Sequence, residues 1–172
     1  MRLNRLVRAA VITCIYVVIC LLTSNLSFGP IQLRLSESLA LLVVFSPDAI
    51  IGVTVGCLIS NMLASAPIDM VVGTFATLIA ALLSYRLRNI RFKKLSLVAS
   101  IPPVVVNAII VGIELSYLYY PKELAVRMIP LNILTVGLGQ FICCSVVGVL
   151  LVYLIERNPV ALRLMIRHED NR

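Results

Sequence analysis

The sequence predicts an all-α, polytopic membrane protein, a bundle of six transmembrane helices with both termini on the cytoplasmic side. Three observations predict it. Of 172 residues, 60% are hydrophobic and 13% charged, and the mean hydropathy is +1.03; soluble domains average about half apolar and a quarter charged. The apolar residues form continuous runs rather than an alternation, which argues against a β-barrel. The basic residues gather in zones that bracket those runs. One membrane domain over residues 1–156 and a basic cytoplasmic or interfacial tail over 157–172 account for the length, with no room for a soluble domain.

The runs are Leu6–Leu22, Leu35–Phe45, Ala49–Ala64, Ile68–Leu87, Leu95–Leu118 and Met128–Ile155. The basic stretch from Met1 to Arg8 leads into the first, and no small-residue cleavage site follows, so it reads as a retained span rather than a signal peptide. The second is short: eleven residues of α-helix cover about 16 Å, against a hydrocarbon core of roughly 30 Å. Ser46-Pro47-Asp48 separates it from the third, since proline after a polar residue is a helix stop. Charge parity requires that break. The zones Arg2/Arg5/Arg8, Arg86/Arg88/Arg91/Lys93/Lys94 and Arg157/Arg163/Arg167/Arg172 all lie inside only if an even number of crossings separates each pair. Twelve of the 15 Lys and Arg are then cytoplasmic, and Arg34, Lys122 and Arg127 face outward. In the fifth run Pro102-Pro103 either kinks the helix or sits in its first turn with Ser100 as the cap. The tail after Pro159 reads as interfacial.

The net charge of +7 is explained by these topology signals and by anionic headgroups rather than by nucleic acid. Enzyme chemistry is not supported. The chain has no GxxxxGK followed by Ser or Thr for a nucleotide, its one histidine, His168, lies in the tail, and no HExxH is present. Cys14, Cys20, Cys57, Cys143 and Cys144 all lie in apolar runs without metal spacing, so they read as small core residues, and no metal site is expected.

Binding residues are sought among polar groups at membrane depth, where charge is costly and needs a partner, water or a ligand. The stretch Gly29-Pro30-Ile31-Gln32-Leu33-Arg34-Leu35-Ser36-Glu37 stands out, with a guanidinium and a carboxylate three residues apart beside a Gly-Pro turn. With Asn61, Asp69, Asn107, Glu114, Asn132 and Gln140, the residues Gln32, Arg34 and Glu37 form the candidate substrate-binding set, most of it in the outer half of the bundle. Asn107 and Glu114, seven apart, share one helix face. Interhelical hydrogen bonding explains any single Asn or Gln equally well. An Arg34–Glu37 ion pair capping the second helix is the structural alternative for that pair. On the first helix, Ala9, Ala10, Thr13 and Cys14 make two overlapping small-xxx-small pairs that suit a close helix contact, inside the protein or with a partner. Gly73-Thr77-Ala80/Ala81-Ser84 reads as internal packing.

The stretch from Gly29 to Glu37 resembles the signature loop of the QueT family of queuosine-precursor transporters, substrate-binding S components of energy-coupling factor (ECF) transporters. Further matching pieces follow in order: Pro47-Asp48-Ala49-Ile50 with Gly56-Cys57-Leu58, Asp69 with Gly73-Thr74, and Pro102-Pro103-Val104 with Asn107-Ala108. The resemblance runs from about Leu6 to Tyr153. It implies a six-helix bundle of the ECF S-component type in the bacterial plasma membrane, with a pocket capped by the outer loops. It implies partners as well: a membrane T component and two ATPases that use the ATP, so that this chain needs no cofactor. Family members meet the T component through an alanine stripe on helix one; here Ala9 and Ala10 match, while Thr13 and Cys14 replace the second alanines. Gln140 is a further departure, where the family leads one to expect glutamate.

The implied substrate is a 7-deazaguanine base, such as an aminomethyl or cyano precursor of queuosine, or queuine. Such a base offers N1–H and an amino group as adjacent donors and O6 as an acceptor. Glu114 or Glu37 would take the donor edge and Asn107 or Arg34 would serve O6. Tyr117, Tyr119 or Phe28 would stack, and Asp69 or the second glutamate would take an aminomethyl cation. The alternatives are an S component for another flat heterocycle, or a small ligand-free membrane scaffold or assembly subunit.

Overall fold

The computed structural model describes residues 2–27, 33–92 and 95–166, and these are helical apart from short connections and one isolated antiparallel bridge between Phe92 and Leu95. In order they form α1 (Arg2–Leu22), the one-turn α2 (Ser24–Ser27), a 3-10 helix (Leu35–Val44), α3 (Asp48–Ala64), α4 (Pro67–Leu87), α5 (Leu97–Tyr119) and α6 (Lys122–Gln140). The last of these continues through a π-helical segment (Phe141–Gly148) into α7 (Val149–Arg157), and α8 (Pro159–Met165) follows. Four helices are long and apolar enough to cross a membrane: Asn4–Leu22, Pro67–Leu87, Leu97–Tyr119 and the 36-residue Lys122–Arg157. The 3-10 helix and α3 are shorter apolar helices. This is a membrane helical bundle, and each apolar run of the sequence corresponds to a helical stretch.

The 3-10 helix is the axis of the bundle. Every residue from Ser36 to Val44 is buried, as expected of a helix with neighbours on all sides. It packs against α1, α3, α4, α5, the π segment and α7. At about 2.0 Å per residue its ten residues reach about 20 Å, more than an α-helix of equal length. Leu42 and Val43 join Ile12 and Tyr16 of α1, Val53 of α3 and Ala81 of α4 in one core cluster. Leu41 and Val44 pack with Ala99, Val149 and Val152 in a second. Around this core the large apolar side chains point outward, Val18, Phe75, Leu82, Ile109, Leu134 and Phe141 among them, as a lipid-facing surface requires.

The break at Ser46-Pro47-Asp48 is present. The 3-10 helix stops at Val44 and α3 starts at Asp48, whose backbone N–H donates to Ser46 Oγ at 3.3 Å. Two helix starts differ from expectation. α5 begins at Leu97, so Ser100 is not its cap and Pro102-Pro103 lie in its second turn. The Ser100 hydroxyl instead donates to the Leu97 carbonyl at 2.8 Å and pairs with Ser145 at 2.9 Å. α6 begins at Lys122, six residues before the apolar run, because Pro121 precedes it and Glu123 suits its first turn. After α7, Asn158 Oδ1 accepts from the backbone of Val160 and Ala161, capping α8 over Pro159.

Polar contacts collect the basic zones at one end. Arg8 lies 3.8 Å from Asp48 and donates to the Met165 carbonyl at 2.6 Å. Arg91 pairs with Glu156 at 2.8 Å. The start of α1, the 3-10/α3 turn, the α4–α5 connection and the end of α7 therefore share one end of the bundle. The opposite end carries the α3–α4 and α5–α6 turns and the entry to the 3-10 helix.

Candidate functional site

At that opposite end, the first turn of α4 meets the start of the 3-10 helix. Arg34 occupies the N-cap position of the 3-10 helix, and its Nη2 donates to Asp69 Oδ2 at 2.6 Å with both side chains buried. Ser65 Oγ donates to the same oxygen at 2.7 Å, and Asn61 Nδ2 to the Asp69 backbone carbonyl at 3.0 Å. Gly73, one turn further along α4, leaves the room: a Cβ there would lie 2.5 Å from Asp69 Oδ1 and 3.0 Å from Asn61 Nδ2. Arg34 and Glu37 thus meet through the backbone, Glu37 N–H to the Arg34 carbonyl at 3.0 Å, while their charged groups turn to different partners. The ion pair proposed between them is replaced by Arg34–Asp69.

Glu37 lies one turn into the 3-10 helix and is 1% exposed. Its Oε1 accepts from Tyr16 Oη of α1 at 2.6 Å and from Thr77 Oγ1 of α4 at 3.2 Å. Thr77 also reaches Cys57 Sγ at 3.4 Å, and Cys57 lies 3.5 Å from Asn61 Nδ2. On the other side Cys144 Sγ donates to the Glu37 carbonyl and to Gln140 Oε1, both at 3.4 Å. One network therefore joins Arg34, Glu37, Asn61, Asp69 and Gln140.

The α5–α6 face holds the remaining described candidates. Asn132 Nδ2 donates to Ser116 Oγ at 2.9 Å, tying α6 to α5. Glu114 and Asn107 are buried on α5, and Glu114 is close enough to Asp69 and Arg34 to interact with them electrostatically. Both carboxylate oxygens of Glu114 and the Asn107 Nδ2 have no hydrogen-bond partner among the described residues, nor do Glu37 Oε2 and Asp69 Oδ1. These are the groups still able to take a ligand's donors and acceptors. Gln32 and Phe28 lie outside the described residues. Tyr117 and Tyr119 are exposed on the outer surface of α5. No three His, Cys, Asp or Glu side chains among the described residues gather to hold a metal. An apolar groove of about 400 Å³ between α5 and the π segment, lined by Phe92, Val104 and Phe141, carries none of the candidate set.

A family model described as QueT transporter matches residues 6–157, nearly the whole helical bundle. The chain belongs to the QueT transporter family. A curated relative, the queuosine precursor transporter QueT of Lactococcus lactis subsp. cremoris (strain MG1363), is 38% identical over 91 residues, 52% of this chain and 53% of the relative. The chain thus spans about half the length of the curated relative it matches. No solved structure matches. Membership in a transporter family agrees with a sequence that carries no catalytic motif.

Seen as a QueT-family transporter, the chain shows two features that its sequence alone did not. Tyr16 is fully buried and is the nearer of two hydroxyl donors to Glu37, with Gly56 placed so that a Cβ there would lie 2.8 Å from Tyr16 Cβ. Its signal was a tyrosine in the middle of an apolar run, away from the interfacial belt that tyrosines prefer. The second feature is on helix one. Ala9 is buried, and Thr13 Oγ1 donates to the Gly52 carbonyl of α3 at 3.0 Å, so this pair packs inside the bundle. Ala10 and Cys14 are exposed, so the four small residues divide between two faces, and Cys14 is not a core residue.

Proposed function

We propose that this chain is the substrate-specific S component of an ECF-type importer, binding a queuosine precursor, a 7-deazaguanine base or queuine, from outside a bacterial plasma membrane. Uptake is driven by a shared ECF module of one membrane T component and two ATPases, which use the ATP; this chain takes no cofactor. Family membership and the printed name of the Lactococcus relative support the transport class. The described basic residues Arg5, Arg8, Arg86, Arg88, Arg91, Arg157 and Arg163 support a cytoplasmic location for their end of the bundle, by the positive-inside rule. Six crossings with both termini inside are the topology proposed with that orientation, and the polar cluster then opens outward.

The single observation that carries the reading is Glu114, a buried carboxylate with no hydrogen-bond partner on either oxygen among the described residues, on the same helix face as Asn107 and within electrostatic reach of Arg34 and Asp69. A carboxylate accepts two adjacent N–H donors at once, which suits the N1–H and amino group of a guanine-type edge. The Asn107 amide, also without a partner for its Nδ2 among the described residues, is the group offered to O6. An aminomethyl group on the base turns toward Glu37 Oε2 and Asp69 Oδ1. Arg34 is engaged by Asp69 and shapes the wall, while Asn61, Asn132 and Gln140 position it. Ala10 and Cys14, on the exposed face of α1, are the residues offered to the T component.

Reconstituted uptake tests this reading. Proteoliposomes containing the chain, a T component and both ATPases accumulate a labelled deazaguanine only when ATP is supplied. Uptake that proceeds without the ATPases, or is absent with every deazaguanine, contradicts it.

A further inference from the structure

The groove between α5 and the π segment lies on the lipid-facing surface, away from the polar cluster. Leu97, Ile101 and Val105 line it along one face of α5, with Phe92 from the α4–α5 connection and Phe141 from the π segment. Its polar lining is Ser100 and Ser145. Ser100 Oγ donates to the Leu97 carbonyl at 2.8 Å, so the 2.9 Å bond between the two hydroxyls uses the Ser145 proton. Both hydroxyl protons are thus spent within the wall, and what the groove presents is hydrocarbon. Both serines are small, and Ser100 is buried while Phe92, Ile101 and Phe141 are exposed, so the floor is set back from its rims.

Depth and charge narrow the occupant. The groove starts at the basic end of the bundle, beside Phe92 and Leu97, and climbs α5 to Val105. Those eight residues rise about 12 Å, close to one leaflet's share of a hydrocarbon core of roughly 30 Å. At its mouth stands Arg91, exposed and next to Phe92 in the chain. Arg91 Nη1 donates to Ser96 Oγ, beside Leu97, and pairs with Glu156. A guanidinium carries five N–H donors in a planar fork suited to phosphate. From Arg88 to Ser96 the sequence has four basic residues and no acidic one, which outweighs the charge of Glu156.

We propose that this groove seats one acyl chain of an anionic phospholipid from the leaflet at the basic end, with the lipid phosphate held at Arg91. The chain fills the hydrocarbon slot to the middle of the membrane, and the headgroup meets the positive connection at its mouth. A zwitterionic lipid fits the slot equally well but lacks net charge for that connection; each basic residue engaged by an anionic headgroup favours it about fivefold. The occupant is independent of what the polar cluster at the other end binds.

The sequence has no tryptophan, which makes the test direct. Phe141→Trp places one fluorophore at the groove, and Phe75→Trp places one on the exposed face of α4 as the reference for ordinary lipid. Each full chain is reconstituted in vesicles of equal parts phosphatidylglycerol and phosphatidylcholine, with bromine on the acyl chains of one lipid at a time. Brominated phosphatidylglycerol is expected to compete about fivefold better than brominated phosphatidylcholine for quenching of Phe141→Trp. Near-equal quenching is expected for Phe75→Trp, and for Phe141→Trp once Arg91→Gln is added. A second measurement needs no reporter. Native mass spectrometry of the wild-type chain released from the same vesicles is expected to retain one phosphatidylglycerol, and Val104→Trp, whose ring fills the groove, none. Equal quenching by the two lipids at Phe141→Trp, a preference that survives Arg91→Gln, or phosphatidylglycerol retained on Val104→Trp overturns the proposal. Quenching by neither lipid overturns it as well and places a protein helix in the groove.

Discussion

Arg34 and Asp69 form a buried ion pair of 2.6 Å that fastens the entry of the 3-10 helix to the first turn of α4. Both side chains are almost wholly inaccessible, so each charge depends on the other. Arg34→Met leaves the Asp69 charge uncompensated and is expected to cost about 3–5 kcal/mol. Thermal unfolding in detergent checks it. The double variant Arg34→Met with Asp69→Leu is expected to recover most of that loss, since removing both charges removes the desolvation cost as well. A double variant no more stable than the single would contradict the pairing.

Space beside Asp69 is set by Gly73. Gly73→Ala brings a methyl group to 2.5 Å from Asp69 Oδ1, inside any real contact distance. It is expected to cost about 1–3 kcal/mol through displaced side chains. Gly137→Ala is the control, because its Cβ would meet Ala108 Cβ at an ordinary 3.4 Å. Comparing the two unfolding midpoints separates a local clash at the site from a general effect of glycine replacement.

Tyr16 is predicted to hold Glu37 through one hydroxyl. Tyr16→Phe keeps the ring against Gly56 and removes only the donor, for an expected loss of about 1–3 kcal/mol, the cost of leaving a buried acceptor unsatisfied. Thr77→Val removes the longer second donor, at 3.2 Å, and is expected to cost less. Denaturation of the two single variants and the double variant gives the coupling energy through their shared acceptor.

Ala9 and Ala10 are predicted to respond oppositely to enlargement. Ala9 sits in the α1–α3 seam, where Gly52 lets the helices approach so closely that a Cβ there would lie 2.9 Å from the Ala9 carbonyl. Ala9→Leu is therefore expected to destabilise the isolated chain by about 1–3 kcal/mol. Ala10→Leu is expected to leave stability within about 0.5 kcal/mol, and to act only on capture of the T component in a pull-down. Loss of that capture by Ala9→Leu alone would place the partner face elsewhere.

Much of this architecture was legible in the sequence because lipid imposes simple rules. Continuous apolar runs mark helices, and Pro47 after Ser46 marks the break before α3. The clustering of Arg34, Glu37 and Asp69 followed from the expense of charge at membrane depth. What escaped is set by packing in three dimensions. No periodicity distinguishes the 3-10 winding of Leu35–Val44 from an α-helix when every residue is apolar or buried. The early start of α6 at Lys122 was hidden because a polar first turn outside the lipid carries no hydropathy signal. The sequence left the partner of Arg34 open between a ligand and Glu37, for a geometric reason. Spacing along one helix suggested Glu37, whereas the α3–α4 turn presents Asp69 from another element at hydrogen-bonding distance. Tyr16 went unremarked because one hydroxyl in an apolar run reads as core until its acceptor is known.

The most direct measurement is thermal unfolding of the full chain in detergent, titrated with 7-aminomethyl-7-deazaguanine, 7-cyano-7-deazaguanine, queuine and guanine. A ligand that binds the native state stabilises it by about 2.7 kcal/mol at a hundred times its dissociation constant. The account predicts a saturable rise in midpoint with at least one deazaguanine, and loss of that rise in Glu114→Gln. No rise with any deazaguanine at saturation, or the same rise in Glu114→Gln, would contradict it.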